Sequence, residues 1–434
     1  MSAHTEPLHD LHEDEKVDRD AESVDPTPIP EDTDDSGSFP EGGLRAWLVA
    51  AGAGGILFST LGYRNSFGVF QAYYMTHQLR DVGPDDIAWI GGTQGFLTLA
   101  AGAIGGPLFD RYGAWVIRPA AVLYVFGIMM TSICTKFWHF MLAQGILTGL
   151  STGLVMFPAM SAVSQYFRKR RGASIGCALA GSSLGAVVFP VILSQLLSSS
   201  DIGFGWSVRI CAFIILPVLA FSCVAIKARL PPRSSHFFLI RAFRDPLYDI
   251  LIVSSFFLFV GMFIPLFYLP TYGTYRGMQE KLAFYLVAIV NSASLPGRII
   301  PGVLGDKVGR MNALSAAGFA TAILIFCWPK TISVASIIVF AALVGFTSGA
   351  IISGISVVLS TCTKDPKNVG TYMGQGIAIA SLAALVAPSA NGALLKAYGG
   401  FKEVSYLSGT CCLFGAVLLF GAKRLTPQGL LGKV

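Results

Sequence analysis

Charge is what this chain has least of. Only 13% of its 434 residues are Asp, Glu, Lys or Arg, against about 25% in a typical soluble globular protein. The shortage is sharpest for acids. Residues 1–41 hold 14 of the 25 carboxylates and two bases, Lys16 and Arg19, which leaves 11 acids against 29 bases for the rest. The net charge of +6 therefore joins an acidic tail to a basic, very apolar body.

Other absences narrow the function. The eight cysteines form no C-x-x-C pair and have no histidine at metal-ligand spacing, so no zinc site is expected and they read as small apolar packing residues. There is no H-E-x-x-H and no phosphate-binding P-loop, and no histidine–carboxylate–nucleophile set lies in the apolar runs. An enzyme is not expected, and neither is a cofactor, a metal or a nucleic-acid partner. The start of the chain lacks a basic segment followed by a short apolar one, which argues against a cleaved signal peptide.

What is present is long apolar sequence. About 20 apolar residues cross a bilayer core of about 30 Å, and runs of that kind recur at 46–74, 87–108, 114–135, 138–162, 172–197 and 206–226. They resume at 247–271, 281–303, 311–328, 333–360, 369–396 and 403–422. The expected fold is an all-α polytopic membrane protein with twelve transmembrane helices in two pseudo-symmetric six-helix bundles. Its parts are a disordered acidic tail (1–41), a first bundle (42–226), a basic linker (227–246), a second bundle (247–424) and a short C-terminus (425–434). With the tail inside, 18 loop and terminal bases face the cytoplasm and eight face outward, which predicts cytoplasmic termini.

A repeat marks both halves. Residues 106–113 read GPLFDRYG and residues 302–309 read GVLGDKVG, each after the second helix of its half. Gly106, Asp110, Arg111 and Gly113 thus match Gly302, Asp306, Lys307 and Gly309. The aspartates are expected to pair with the adjacent base or to cap a neighbouring helix. Six plus six helices, this duplicated turn and cytoplasmic termini resemble the major facilitator superfamily, which implies two bundles rocking around a central substrate site.

Two stretches are similar to signatures of the monocarboxylate porter family, in its fungal branch. One is EGGLRAW (41–47) with NSFGVFQAYY (65–74), and the other is YFRKRRGASIGCALAGSSLG (166–185). They contain Gly42, Gly43, Trp47, Tyr166, Phe167, Lys169, Arg170, Gly181, Ser182 and Gly185. NSASLPGR (291–298) and the run 370–395 fit the same branch. The cations 168–171 read as a topology anchor near anionic headgroups. Glycines 145, 149 and 153, and 172, 176, 181 and 185, read as close-packing strips on the fourth and fifth helices.

Inside the spans the charges are cationic. Arg64 and Arg298 lie within apolar runs, while all 11 acids of the body fall in loops or near helix ends. Buried ionisable residues usually face a cavity, and a guanidinium suits a carboxylate. The resemblance implies that Arg298 engages the substrate carboxylate; bracing of helix packing is its alternative. Arg64 either faces the cavity or snorkels to the outer headgroups. Asn65 takes the place of the helix-1 lysine of animal members. Ser294 takes that of their proton-carrying aspartate, with Asn291 a turn earlier, so proton coupling is left open. Tyr63, Phe67 and Tyr268, with Gln71, Phe267 and Tyr272, are candidates for the cavity wall.

The expected function is secondary active transport of a small organic anion, with the lipid bilayer as its other partner. Efflux of a carboxylated or enolic fungal secondary metabolite across the plasma membrane is favoured. Proton-linked uptake of a short monocarboxylate is the alternative, and a non-transporting nutrient sensor the alternative of another class.

Overall fold

A computed structural model describes residues 40–198, 202–231, 239–363, 365–427, 429 and 432. The acidic tail up to residue 39, residues 232–238 of the basic linker and several of the last residues lie outside the described set. Eleven continuous helical runs are long and apolar enough to cross a membrane. One of them, Asp86–Thr131, has 46 residues, about 69 Å of helix at 1.5 Å per residue. That is twice a bilayer core, so the run must fold back, and it does so at Gly113. Twelve spans result.

The first six are α1 (Gly43–Thr76), α2 (Pro84–Ala100 continued by Gly102–Tyr112), α3 (Ile117–Thr131), α4 (Phe137–Tyr166), α5 (Arg171–Ser198) and α6 (Gly203–Ala225). After the linker come α7 (Pro246–Tyr275), α8 (Glu280–Val308), α9 (Arg310–Cys327), α10 (Val334–Thr361), α11 (Val369–Ala380 continued by Ala383–Tyr398) and α12 (Lys402–Ala422). Each expected run falls within a few residues of one of these helices. The end of the bundle at which α1 begins is called proximal below, and the opposite end distal.

Local chemistry explains several ends. The last glycine of each repeated turn carries the left-handed backbone that stops a helix, φ 68° at Gly113 and 105° at Gly309, where a side chain would be strained. Asp245 accepts from the Leu247 N–H at 3.0 Å, with Pro246 at the first helical position, and so starts α7. Two helices carry π-helical segments inside the bundle. A π-helical segment interrupts α1 at Phe58–Gly62, with a turn at 65–66 before Phe67, and another interrupts α4 at Met141–Leu147. Such bulges concentrate at functional positions.

The glycine strips hold the helices together. On α4, Gly149 faces Gln94 and Leu97 of α2, and Gly153 faces Thr98 and Ala101. On α5 the strip is shared: Gly181 and Gly185 meet the backbone of Gly54, Phe58 and Gly62 in α1, while Gly172 and Gly176 meet Gly302 and Arg298 of α8. A side chain at Gly181 would strike the Gly54 carbonyl, and overpacking of this kind costs about 1–3 kcal/mol or more. Gly181→Val is therefore expected to lower the folded yield and the melting temperature in detergent by several degrees. Gly421→Val, where a Cβ meets open space, is the control expected to change neither.

Candidate functional site

The two repeated aspartates perform one job at the proximal end. Asp110, 4% exposed, accepts from the backbone N–H of Gly370 (3.1 Å) and Thr371 (2.6 Å) and from the Thr371 hydroxyl (2.7 Å). It thereby caps the start of α11. Asp306 accepts from the N–H of Gly172 and Ala173, both at 2.9 Å, at the start of α5. Each carboxylate fills the free N–H groups of a helix from the other set of six, where the helix dipole favours negative charge. Pairing with the neighbouring base does not occur: Arg111 lies over the Tyr112 ring, Lys307 is exposed, and Asp306 pairs with Arg310 at 3.1 Å. A base one turn along the helix reaches back more easily than its immediate neighbour. Gly106 against Gly370, Gly102 against Gly374 and Gly172 against Gly302 bring backbone to backbone beside these caps. The proximal end of the seam is closed.

The two signature stretches meet there too. The Glu41 carboxylate accepts from three successive N–H groups, Arg168 (2.9 Å), Lys169 (2.6 Å) and Arg170 (3.1 Å). Trp47 lies 5.2 Å from Phe167, centroid to centroid, and the Glu41 N–H donates to Tyr166 O. The reading of 168–171 as one accessible basic cluster needs correction. Arg168, Lys169 and Arg170 are exposed, but Arg171 is 6% exposed. Its guanidinium donates to Phe167 O, Ser164 O and, across the seam, Ser360 O at the end of α10. An arginine that satisfies three carbonyls is packed in protein and unavailable to headgroups. Glu41 was not singled out by itself in the sequence; a carboxylate just before a Gly-Gly helix start was the available signal for it.

Arg298 sits deeper on the same α5–α8 seam, 8% exposed. Its Nη1 donates to Leu179 O at 2.6 Å and to the Ser182 hydroxyl. Its Nε is buried without a partner. One turn earlier Ser294 shares a hydrogen bond with Ser183 at 2.8 Å and donates to Asn291 O, while the Asn291 amide is turned to Val287 O. Ser294 thus pairs across the seam with another neutral hydroxyl. Among the described residues the one ion pair is Arg310–Asp306, at the proximal end.

Arg64 lies in α1 between the π-helical segment and the turn at 65–66. It is half-buried, and its guanidinium rests on Gly95 of α2, where an added Cβ would lie 2.5 Å from Nη2. It therefore packs on a neighbouring helix. Phe67, a turn on, lies over Gly91 of the same helix. Asn65 is exposed, and its amide donates to Leu61 O at 2.7 Å, a carbonyl that also accepts from the Asn65 backbone N–H. Tyr63 is not brought beside Arg64: it is 4% exposed and packs edge-on against Phe70 and Phe189. Tyr268 is half-buried against the core. Tyr272 is fully buried, and its hydroxyl donates to Thr331 O at 2.6 Å. Tyr63 and Tyr272 are thus core aromatics.

Comparison with known proteins identifies the arrangement. The family profile described as Major Facilitator Superfamily matches residues 52–334 and 302–433. The chain belongs to the Major Facilitator Superfamily. Among this superfamily's members it is 51% identical, over 411 residues, to the aspyridones efflux protein apdF of Emericella nidulans, covering 95% of this chain and 83% of that one. It is 37% identical over 418 residues to the agnestins efflux protein AgnL12 of Paecilomyces divaricatus, covering 94% and 95%. The fold matches the human organic anion transporter MFSD10 with a TM-score of 0.68 at 15% identity, over 87% of this chain and all of that one. It also matches the outward conformation of the facilitator FucP with a TM-score of 0.67 at 13% identity, over 87% and 98%.

As a facilitator superfamily member, the protein is an integral membrane transporter and not an enzyme. Two Gly-x-Ser-x-Gly sequences, at 149–153 and 181–185, agree with that. Both lie wholly inside helices, where the strained strand-to-helix elbow of a serine nucleophile cannot form.

Proposed function

We infer that this transporter exports a small organic anion, an acidic or enolic fungal metabolite, by rocking its first six helices against its last six about the α5–α8 seam. The observation that carries the reading is the state of Arg298. Nη1 is occupied by Leu179 and Ser182, Nε has no partner, and Nη2 makes no hydrogen bond among the described residues. The Nε–Nη2 edge is the one that takes a carboxylate or enolate by two parallel bonds, and the bracing bond on the other edge orients it. With Ser294 and Ser183 beside it, no protein carboxylate competes for that edge. Any coupled proton then travels on the substrate's own acidic group.

Direction is supported by the relatives named for efflux of aspyridones and agnestins. The fungal monocarboxylate-porter branch is supported by the junction of its two signature stretches through Glu41 and Trp47. The excess of bases at the proximal end supports cytoplasmic termini, and export from the cell requires the plasma membrane. Asn65, Phe67 and Tyr268 line the path in this reading.

Deleting the gene in its producing host is expected to raise the intracellular level of one acidic metabolite at least twofold and lower it in the medium, with restoration by the intact chain. An unchanged metabolite profile combined with lost growth on a short monocarboxylate would overturn export in favour of uptake.

A further inference from the structure

A groove of about 320 Å³ lies between the distal end of α3 and the first turns of α4, within the size range of small-ligand sites. Its walls include Met130, Ile133, Trp138 and Leu142, the last three more than half exposed, so it opens sideways to the bilayer. Its floor is Cys134 and Ala143, both buried and small. The space arises where α4 widens into its π-helical segment at Met141–Leu147 and no long side chain fills the gap.

At this depth an apolar space open to the bilayer is filled by hydrocarbon. A lipid tail gains little by entering it, because the surrounding tails are as apolar as the walls. A specific occupant therefore needs polar anchors at the mouth, and three are present. His139, which lines the groove, accepts the Thr135 and Lys136 N–H groups at Nδ1, at 3.5 and 3.3 Å, which places the proton of the neutral ring on Nε2. That N–H makes no hydrogen bond among the described residues, and the Trp138 ring, edge-on at 4.0 Å, holds the imidazole in place. Lys136, exposed before α4, and Arg209 of α6, whose Nε donates to Ser132 Oγ at 3.1 Å, bring two cations to the same turn. Neither is in an ion pair among the described residues. Trp138 and Trp206, the latter under the Arg209 guanidinium, are exposed and mark headgroup depth.

We propose that this groove binds one glycerophospholipid of the distal leaflet. An acyl chain lies along Cys134 and Ala143, an ester carbonyl accepts from His139 Nε2–H, and the phosphate meets Lys136 and Arg209. A sterol offers one hydroxyl and no anion for the two bases, and a small water-soluble anion has no chain for the apolar floor. The seated chain backs the π-helical segment, whose Gln144 accepts from the Tyr74 hydroxyl of α1 at 2.7 Å.

For the test, the full-length protein is washed free of lipid in maltoside detergent and mixed with one equivalent of a phosphatidylcholine carrying a diazirine in its acyl chain. After irradiation, cross-links at Met130, Leu142 or Ala143 are expected at least about fivefold above those at Val122 and Val224, which are exposed on α3 and α6 outside the groove. Excess dioleoyl phosphatidylcholine should remove the groove cross-links, and cholesterol should not. Ala143→Leu fills the floor, and the double change Lys136→Gln with Arg209→Gln removes the cations. Each is expected to lower the groove cross-links at least about threefold in protein that still elutes as a single folded species. Cross-links spread evenly over the lipid-facing residues would overturn the proposal. Removal by cholesterol but not by phospholipid, or groove cross-links unchanged in either variant, would do the same.

Discussion

Replacing Arg298 with alanine is expected to cut transport at least about 100-fold while leaving the amount of protein in the membrane unchanged. The guanidinium supplies the two-bond edge for the anion, and charge-assisted bonds of that type contribute about 1.5–3 kcal/mol each. Loss of both therefore exceeds the ~2.7 kcal/mol that a 100-fold change represents. Lysine should not rescue. A single ammonium cannot hold Leu179 O and Ser182 on one side while presenting two parallel donors on the other. Flux of the exported metabolite from proteoliposomes, normalised to reconstituted protein, checks both variants. Ordinary flux through a well-folded Arg298→Ala protein would sink the anion-site reading.

A second large effect is expected at Asp110. It is buried and accepts three hydrogen bonds from the first residues of α11. Alanine leaves those donors unpaired whenever the proximal end is closed, whereas that end can hydrate them when open. At about 1–3 kcal/mol per stranded buried group, the balance should move on the order of 100-fold or more toward the proximally open state. Spin labels at Arg111→Cys on α2 and Lys367→Cys before α11 would report this as a longer, broader distance distribution. Asp306→Ala should do the same more weakly, since it caps with two N–H groups and its remaining partner, Arg310, is half-exposed. An unchanged distribution in Asp110→Ala would mean that glycine packing alone holds the seam.

Much of this architecture was legible in the residues because membrane burial is a local property. Twenty apolar residues need a bilayer wherever they occur, so the spans emerged nearly in place. The repeated turn was readable as well, because its final glycine supplies a left-handed backbone that few other residues adopt. Its aspartates were harder. That they cap helices was one of two expectations, but which helices they cap depends on residues 260 and 134 positions away in sequence. Arg171 was misread for a related reason. Four consecutive bases look alike in sequence, and only the helix starting at residue 171 turns the last of them inward.

The amino-acid sequence by itself thus determined the membrane class, the number of spans, the twofold repeat and the presence of two arginines without acids around them. Each follows from transfer free energy, from turn stereochemistry, or from the high energy of unpaired charge in an apolar medium. The tertiary structure alone decided what those arginines touch. Arg298 is braced by α5 with one edge unpartnered, and Arg64 rests on Gly95 of α2. Such contacts are set by which glycine faces which helix, and helix-to-helix register arises only when the whole bundle packs.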